Sequence, residues 1–416
     1  MGKKNTRGND ESRICWETLE AWLLRQIEEK LQELLEAEVT ELLGRGKSER
    51  QAQVLGAVAG YRNGYGKARK LTLSSGTISI RRPRVRGLEE RFESRILPLC
   101  KRRSEQVNDL LPQLYLHGLA LGDLDAALGG LLGEDAAISA NTVARLKEKW
   151  QGEYQAWQAR RLEDLEVTYL WVDGVYVKAG LEKEKAAVLV AVAGLSDGSK
   201  VVVGLQAGHR ESIESWSSFL RDLRDRGVKR APRLIIGDGH LGIWGALRNV
   251  WPESAEQGCW NHKMLNALDR IPKKHQRGAR LLLRQIPHAA TREEAERLKG
   301  RYQQWCQKKG FNEAAAVLDR HWERMLTFYS FPKEHWSHIY TSNPVESPFA
   351  ALRLRTDAAK RFKRVDNATA VIWKMLLVIE KKFQKLRDSQ LMMDVYKGLQ
   401  YANGVAIKRN TEEEAA

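Results

Sequence analysis

A series of short apolar segments between residues 167 and 259 constrains the fold of this chain more than any other feature. Residues 167–177, 186–195 and 200–206 are rich in residues that favour strands, and turn residues at Gly180 and at 196–199 separate them. This arrangement predicts an antiparallel meander. A helix at 216–226, a strand at 233–236, a helix at 243–250 and a strand at 256–259 follow. The sequence therefore predicts an α/β domain built on one sheet.

Three acidic residues occupy positions where folded domains place functional carboxylates. Asp173 lies inside the first strand, where a carboxylate is costly unless another group pairs with it. Asp238 follows a buried strand, where the end of a strand reaches a cleft. Glu346 falls in the first turn of a helix that begins at Ser342-Asn343-Pro344. Three converging carboxylates can hold two divalent ions and drive phosphoryl transfer on a nucleic-acid backbone.

Each acid also has a simpler interpretation. Asp173-Gly174 and Asp238-Gly239 are dipeptides typical of turns. Glu346 stands three residues after Asn343, which is the spacing of a capping box. Pro348 would kink a helix that begins at Asn343, so a helix start at Ser347, with Glu346 at its edge, is also open.

Six sequence motifs are similar to those of a known family. They are GYRNGY at 60–65, IRRPRVR at 80–86, VDGVYVK at 172–178, GDGHLGIW at 237–244, CWNHK at 259–263 and TSNPVES at 341–347. With these motifs in this order, from about residue 31 to about residue 377, the chain resembles the Mutator-type family of bacterial insertion-sequence transposases.

The resemblance implies a ribonuclease-H-like catalytic core with a D-D-E triad, here Asp173, Asp238 and Glu346, interrupted by an all-helical insertion. The separations agree, because 238 − 173 = 65 residues and 346 − 238 = 108 residues, and the second is too long for a loop. The implied activity is binding of an element's terminal inverted repeats, followed by metal-dependent DNA cleavage and strand transfer. The implied cofactor is Mg²⁺, as two ions, with Mn²⁺ as a substitute. The alternative is a domesticated, non-catalytic sequence-specific DNA-binding protein.

The composition is strongly basic, with a net charge of +16 and a pI near 9.6, as in proteins that bind a polyanion. Four scattered cysteines argue for a reducing cytosol and against a disulfide framework. The longest apolar stretch, 186–195, is too short to cross a bilayer. These features predict a cytosolic protein without membrane contact. Together with them, the resemblance implies a bacterial, nucleoid-associated protein whose partner is double-stranded DNA, both the element's terminal inverted repeats and the target.

Periodicity and composition divide the chain into seven predicted parts. An amphipathic helix at 16–43, with Gly44 as its C-cap, needs a packing partner within its own domain or in a homodimer or higher assembly on DNA. The parts are an amphipathic helical region with dimerisation as one of its two open roles (1–58), a small β-rich basic unit (59–100), a helix-turn-helix-like DNA-binding domain (101–160), the first part of the core (161–265), the all-helical insertion (266–338), the last part of the core (339–385) and a C-terminal tail (386–416).

Three sets of residues are predicted to contact DNA. The first follows an extended segment that can lay guanidinium groups along phosphates, although an exposed strand edge would look similar. The second begins a helix capped by Ser139 in a helix-turn-helix pattern, whose alternative is a plain three-helix bundle. The third is a basic helix and loop next to Glu346. The sets are Arg81, Arg82, Arg84 and Arg86; Asn141, Thr142 and Arg145; and Arg353, Arg355, Lys360 and Arg361.

Cys259 and His262 form a C-x-x-H pair, which is half of a zinc site that His335 and His338 would complete. The two pairs lie in different motifs, and no third cysteine is near. In the family that the chain resembles, such a pair lies close to the catalytic acids without binding zinc. We therefore expect Cys259 and His262 to orient the active site or the DNA strand, with His240 lining the same cleft.

Overall fold

The computed structural model describes residues 16–51, 54–55, 58–99, 101–133, 136, 140–180, 185–208, 211–239 and 241–407. The chain divides into two compact units, Met1–Ala144 and Arg145–Ala416. The finer division into seven parts remains a prediction. Among the described residues, no helix is both long and apolar enough to cross a bilayer.

The first unit combines helices with two small sheets. Helix α1 spans Trp16–Leu43, and Gly44 follows it with a φ of 63°, a conformation that glycine adopts without strain. The other elements of the first unit are β1 (Tyr61–Tyr65), β2 (Arg69–Leu73), β3 (Gly76–Ile80), β4 (Pro83–Arg86), α2 (Glu105–Leu116), α3 (Leu121–Leu132) and the beginning of α4 (Ala140–Gln158). β1 pairs with β4 and β2 pairs with β3, both antiparallel. The core of the unit contains Leu35, Leu71, Ile78, Ile80 and Leu97.

A five-stranded sheet organises the second unit. Its elements are β5 (Val167–Val177), β6 (Ala186–Leu195), β7 (Lys200–Gly208), α5 (Ile213–Asp225), β8 (Leu234–Gly237), α6 (Leu241–Val250) and β9 (Ala255–Gly258). The strand order is β7-β6-β5-β8-β9. β5, β6 and β7 form the predicted antiparallel meander, whereas β5, β8 and β9 run parallel. Each predicted strand and helix of this region is present, with bounds shifted by a few residues.

The two faces of β5 have different environments, because successive side chains of a strand alternate between faces. Leu170 and Val172 join a buried core that includes Trp216 and Phe219 of α5. Trp171 points to the other face, where its indole N–H donates a hydrogen bond of 2.9 Å to the carbonyl of His338. Asp173 shares the face of Trp171, so it faces the elements that follow in the C-terminal part of the chain.

Helices make up the chain between β9 and residue 398, all of which is described. They are α7 (Trp260–Leu268), α8 (Lys273–Gln285), α9 (Arg292–Lys308), α10 (Asn312–Asp319), α11 (Trp322–Leu326), α12 (Trp336–Ile339), α13 (Asn343–Ala358), α14 (Val365–Glu380) and α15 (Leu391–Lys397), with short 3-10 turns among them. The short strands β10 (Tyr401–Ala402) and β11 (Val405–Ala406) follow. Residues 266–338, the predicted insertion, therefore contain helices and turns but no strand, and their status as a separate domain stays a prediction.

The structure removes the alternative helix start at Ser347. α13 begins at Asn343 and continues through Pro348. Its first turn closes with hydrogen bonds of 3.0 Å from the backbone N–H groups of Val345 and Glu346 to the carbonyl of Ser342. Pro348 lies near the start of the helix, so it removes only one early backbone hydrogen bond, and packing of the buried side chains on α13 outweighs that loss.

Candidate active site

Asp173 lies on β5, the central strand of the sheet. Its Oδ1 accepts a hydrogen bond of 2.8 Å from the backbone N–H of Gly174. Burial raises the pKa of Asp173 to about 7, and the negative charges of Glu346 and Glu211 add to this effect. The Asp173 carboxyl is therefore held where its negative charge is poorly solvated and close to other acids.

Asp238 directly follows β8, the strand next to β5, and lies level with Asp173. β5 and β8 are parallel, and Trp171 pairs with Ile236. Each acid stands two residues beyond this pair, and side chains two residues apart on a strand share a face. The Asp238 carboxylate accepts a hydrogen bond from the backbone N–H of Gly239, and its side chain is 22% exposed. The strand register thus brings the first two predicted acids together.

Glu346 reaches the same place from the first turn of α13. Its Oε1 accepts a hydrogen bond from the hydroxyl of Ser342 and lies 3.7 Å from the thiol of Cys259. The charge of Glu346 contributes to the raised pKa of Asp173, so the third acid is within electrostatic reach of the first.

His262 stands between two of the acids. Its Nδ1 lies 3.6 Å from Oδ1 of Asp238 and 3.6 Å from Oε1 of Glu346. A hydrogen bond with Cys259 raises the pKa of His262 to about 9 against the opposing effect of burial, and the two carboxylates contribute to the rise. The raised pKa favours the protonated form of His262, whose positive charge would lie between Asp238 and Glu346.

Cys259 connects the elements that carry these groups. It is the N-cap residue of α7, and its backbone N–H donates to the carbonyl of Gly237 at 2.9 Å. Its sulfur accepts a hydrogen bond of 3.3 Å from the backbone N–H of Ser342, next to the start of α13. The Cys259 side chain is only 2% exposed. It therefore fixes the end of β8, which carries Asp238, relative to the helix that carries Glu346.

The structure adds a fourth acid, Glu211, which the sequence analysis did not identify. A Cβ atom on Gly174 would lie 2.3 Å from Oε1 of Glu211, and one on Gly242 would lie 2.4 Å from its carbonyl oxygen. Burial, followed by a hydrogen bond with Glu211, raises the pKa of Tyr176 above its usual value. A signal for Glu211 was present in the sequence, because a glycine inside a strand often marks the close approach of another group. Gly174 indeed lies within β5, paired with Leu189 rather than in a turn.

The structure does not bring the two predicted halves of a zinc site together. His335 is buried, and its Nδ1 lies 2.8 Å from the hydroxyl of Tyr169. Among the residues that the structure describes, one group of three side chains could hold a metal ion, with donor atoms within 4.8 Å of one another. The group consists of Cys259, His262 and Glu346.

Two of the arginines predicted to contact DNA are used inside the protein. The guanidinium of Arg82 donates to the backbone carbonyls of Leu97 and Pro98. Arg355 is 4% exposed, because it falls on the face of α13 that packs inward. Arg355 is therefore buried in this structure and Arg82 is held by its own unit, and DNA contact by either residue stays a prediction.

The other predicted contact residues have different surroundings. Thr142 accepts a hydrogen bond of 3.3 Å from Arg103, and Arg361 donates one of 2.9 Å to the carbonyl of Gly180. His240 and Ser139 lie outside the described residues. The side chains exposed at the surface are Arg81, Arg84, Arg86, Asn141, Arg145, Arg353, Lys360 and Arg361.

Comparison with known proteins agrees with the motifs. Residues 10–386 match the profile described as "Transposase, Mutator family". The chain is 37% identical over 306 residues to the transposase for insertion sequence element IS6120 of Mycolicibacterium smegmatis. The aligned region covers 74% of this chain and 94% of that protein. It is 35% identical over 283 residues to the transposase for insertion sequence element IST2 of Acidithiobacillus ferrooxidans, covering 68% of this chain and 95% of that protein. The chain therefore belongs to the Mutator family of transposases.

Proposed function

We propose that this protein binds the terminal inverted repeats of an insertion sequence and catalyses DNA cleavage and strand transfer with Asp173, Asp238 and Glu346. The proposal is supported by the register of β5 and β8 and by the contacts of His262 with two of the acids. Asp173 lies on β5, and Asp238, level with it, directly follows the adjacent parallel strand β8. Glu346, which is 108 residues further along, contacts His262 together with Asp238.

The topology of the second unit supports a ribonuclease-H-like core. Such a core has three antiparallel strands followed by two parallel strands that join one edge, with helices as connections. The strand order β7-β6-β5-β8-β9 has this pattern, with α5 before β8 and α6 before β9. The helices between β9 and α13 would then be the insertion that separates Glu346 from the first two acids.

The donor set suits Mg²⁺, with Mn²⁺ as a substitute. The proposed ligands are carboxylate oxygens of Asp173, Asp238 and Glu346, and hard divalent cations prefer oxygen ligands. Burial raises the pKa of Asp173 to about 7 because the ionised carboxylate is poorly solvated there. A bound cation would compensate this negative charge and so favour the ionised form. When bound, two such ions would activate the attacking water or 3′-hydroxyl and stabilise the departing 3′-oxygen.

The residues around the triad would hold it in position. Cys259 and Ser342 orient Glu346 through the contacts described above, and the imidazolium of His262 keeps Asp238 and Glu346 together despite their like charges. Glu211 is a positioning residue in this proposal, because its carboxylate packs against the backbone next to Asp173. Asp173 is paired with Val190 of β6, and the residues just before it in β5 are paired with β8, so a strand held on both edges carries it.

DNA binding is proposed for exposed basic residues in both units. In the first unit they are Arg81, Arg84 and Arg86, with Asn141 in the helix-turn-helix pattern. In the second unit they are Arg145, Arg353, Lys360 and Arg361. We expect the protein to act as a homodimer or larger assembly on DNA, in the bacterial cytoplasm and in association with the nucleoid.

A cleavage and strand-transfer assay on duplexes carrying the element's own ends, with and without Mg²⁺, tests the proposal. Asp173→Asn, Asp238→Asn and Glu346→Gln are each expected to abolish nicking and joining, while end binding stays near the wild-type level, because exposed basic residues carry the affinity. Wild-type cleavage by one of these variants would remove that acid from the triad. Specific end binding without any Mg²⁺-dependent cleavage by the wild-type protein would favour a non-catalytic DNA-binding protein.

A further inference from the structure

Helix α8 presents a strongly cationic outer face. Its sequence, KKHQRGARLLLRQ, contains no acidic residue. Five of its basic side chains are exposed, and their spacing of three or four residues places most of them on one side of the helix. We call this set the α8 basic face; it consists of Lys273, Lys274, Arg277, Arg280 and Arg284.

The opposite side of α8 is anchored in the protein. Ala279 and Leu283 are fully buried. The side-chain amide of Gln276 donates hydrogen bonds of 3.0 Å to the carbonyls of Leu268 and Ile271, at the end of α7. The α8 basic face is therefore carried by a helix whose orientation is fixed.

The cations of this face differ from others in the same helical region. Arg270 lies 2.8 Å from Glu313, Lys299 lies 2.9 Å from Asp319, and Arg292 pairs with Glu323. Within the part of the chain that the structure describes, no such ion pair involves the α8 basic face. Five like charges therefore lie together at the surface without an ion-paired carboxylate among the described residues, and their combined positive potential attracts anions.

We propose that the α8 basic face binds the phosphate backbone of duplex DNA, outside the triad and independently of base sequence. The proposal rests on the function proposed above and adds a contact surface to it. Eleven residue steps from Lys273 to Arg284 give about 16 Å of helix, enough to reach across a major groove of about 12 Å from the phosphates of one strand to those of the other.

The chain also limits the distance between this face and the acids. His262 lies in the first turn of α7, which ends at Leu268, and α8 begins at Lys273. Helical rise and extended chain length together allow at most about 30 Å between the Cα atoms of His262 and Lys273. One turn of B-DNA is about 34 Å long. A duplex held at the acids therefore passes within about one helical turn of the α8 basic face.

The experiment compares two triple variants of the full-length protein. Arg277→Gln, Arg280→Gln and Arg284→Gln together remove three charges from the face. The control, Arg161→Gln, Arg270→Gln and Arg292→Gln, removes three exposed arginines that are already ion-paired. Both variants thus have the same net charge. Fluorescence anisotropy measures the dissociation constant at several salt concentrations for two duplexes of roughly four helical turns, one with an element end and one unrelated.

Each lost phosphate contact lowers the slope of log affinity against log salt by about 0.9, so the α8 variant should lose about 2.7 and the control much less. The affinities for both duplexes should fall by the same factor, since phosphates carry no sequence information. A third variant with lysine at all three positions should retain most of the slope, which separates loss of charge from loss of fold.

Equal slopes for the α8 variant and the control would overturn the inference. Unchanged slopes with loss of a dimer in sedimentation would also overturn it, and would assign the face to an acidic surface of a second copy. Failure of the proposed function gives a different result, in which the wild-type protein binds both duplexes with a steep salt slope but does not cut the element end in Mg²⁺.

Discussion

Gly174 should determine the position of Glu211, and Gly174→Ala is the change that tests this. An alanine Cβ would lie 2.3 Å from Oε1 and 2.7 Å from Cδ of Glu211, whereas non-bonded carbon contacts are about 3.5–4.0 Å. The Glu211 carboxylate must therefore move by about 1 Å or more, away from residue 174. The strand itself should persist, because Gly174 is paired in the middle of β5 and alanine is acceptable there.

The expected magnitudes separate an effect on the site from an effect on the fold. Overpacking costs about 1–3 kcal/mol, and replacing a strand glycine by alanine recovers about 0.5–1 kcal/mol. The free energy of unfolding should therefore fall by no more than about 2.5 kcal/mol. A displacement of about 1 Å next to the reacting groups can lower a rate by about 100-fold. Strand transfer at saturating Mg²⁺ should fall by roughly 10- to 100-fold, and the Mg²⁺ concentration for half-maximal activity should rise.

A double-variant cycle shows whether Glu211 is the cause. If Gly174→Ala acts by displacing Glu211, then Gly174→Ala combined with Glu211→Ala should be no less active than Glu211→Ala alone. Gly300→Ala is the matched control, since a Cβ there meets no atom within 4 Å. Additive losses in the double variant, or a wild-type rate for Gly174→Ala, would refute the reasoning.

Two further predictions concern residues near the triad. Cys259→Ser should leave the protein folded and free of stoichiometric zinc while strand transfer weakens more than end binding; elemental analysis that finds zinc, lost together with the fold on substitution, would contradict this. Burial lowers the pKa of His338 to about 4, below the ordinary value of about 6.5. The stability that neutral His338 contributes is thus fully present above pH 6.5 and is lost as the pH falls towards 4. Between pH 7 and pH 5 the loss should be about 1–2 kcal/mol, and His338→Gln should remove it in denaturation curves at the two pH values.

The sequence predicts the sheet well because its periodicity is local. β5, β6 and β7 are long apolar segments separated by glycine-containing turns, and no distant contact is needed to identify them. The position of Asp173 inside a strand and of Asp238 just after one follows from the same pattern. Their closeness requires the parallel register of β5 and β8, which only tertiary packing decides.

Charge alone does not reveal which basic residues face solvent. Arg353 and Arg355 stand two apart on α13, so they point in different directions, and only Arg353 is exposed. The basic residues of α8 are equally visible in the sequence. Only the structure shows that basic residues nearby are ion-paired, as Arg270 is with Glu313, whereas those of α8 are not paired with any described residue, and this difference distinguishes the α8 basic face from ordinary surface charge.

The arrangement of Cys259, His262 and Ser342 explains how acids from distant parts of the chain can share one place. Asp238 and Glu346 repel each other, and a site with only carboxylates would open without a cation. Nδ1 of His262 lies 3.6 Å from Oδ1 of Asp238 and 3.6 Å from Oε1 of Glu346, so a protonated imidazole would offset this repulsion. Cys259 links the end of β8 to the start of α13 through its backbone N–H and its sulfur. The C-x-x-H spacing places both functions on the first turn of α7, with the cysteine as N-cap and the histidine three residues later. Replacing either residue should therefore affect the relative position of two acids at once, which a substitution of one acid cannot do.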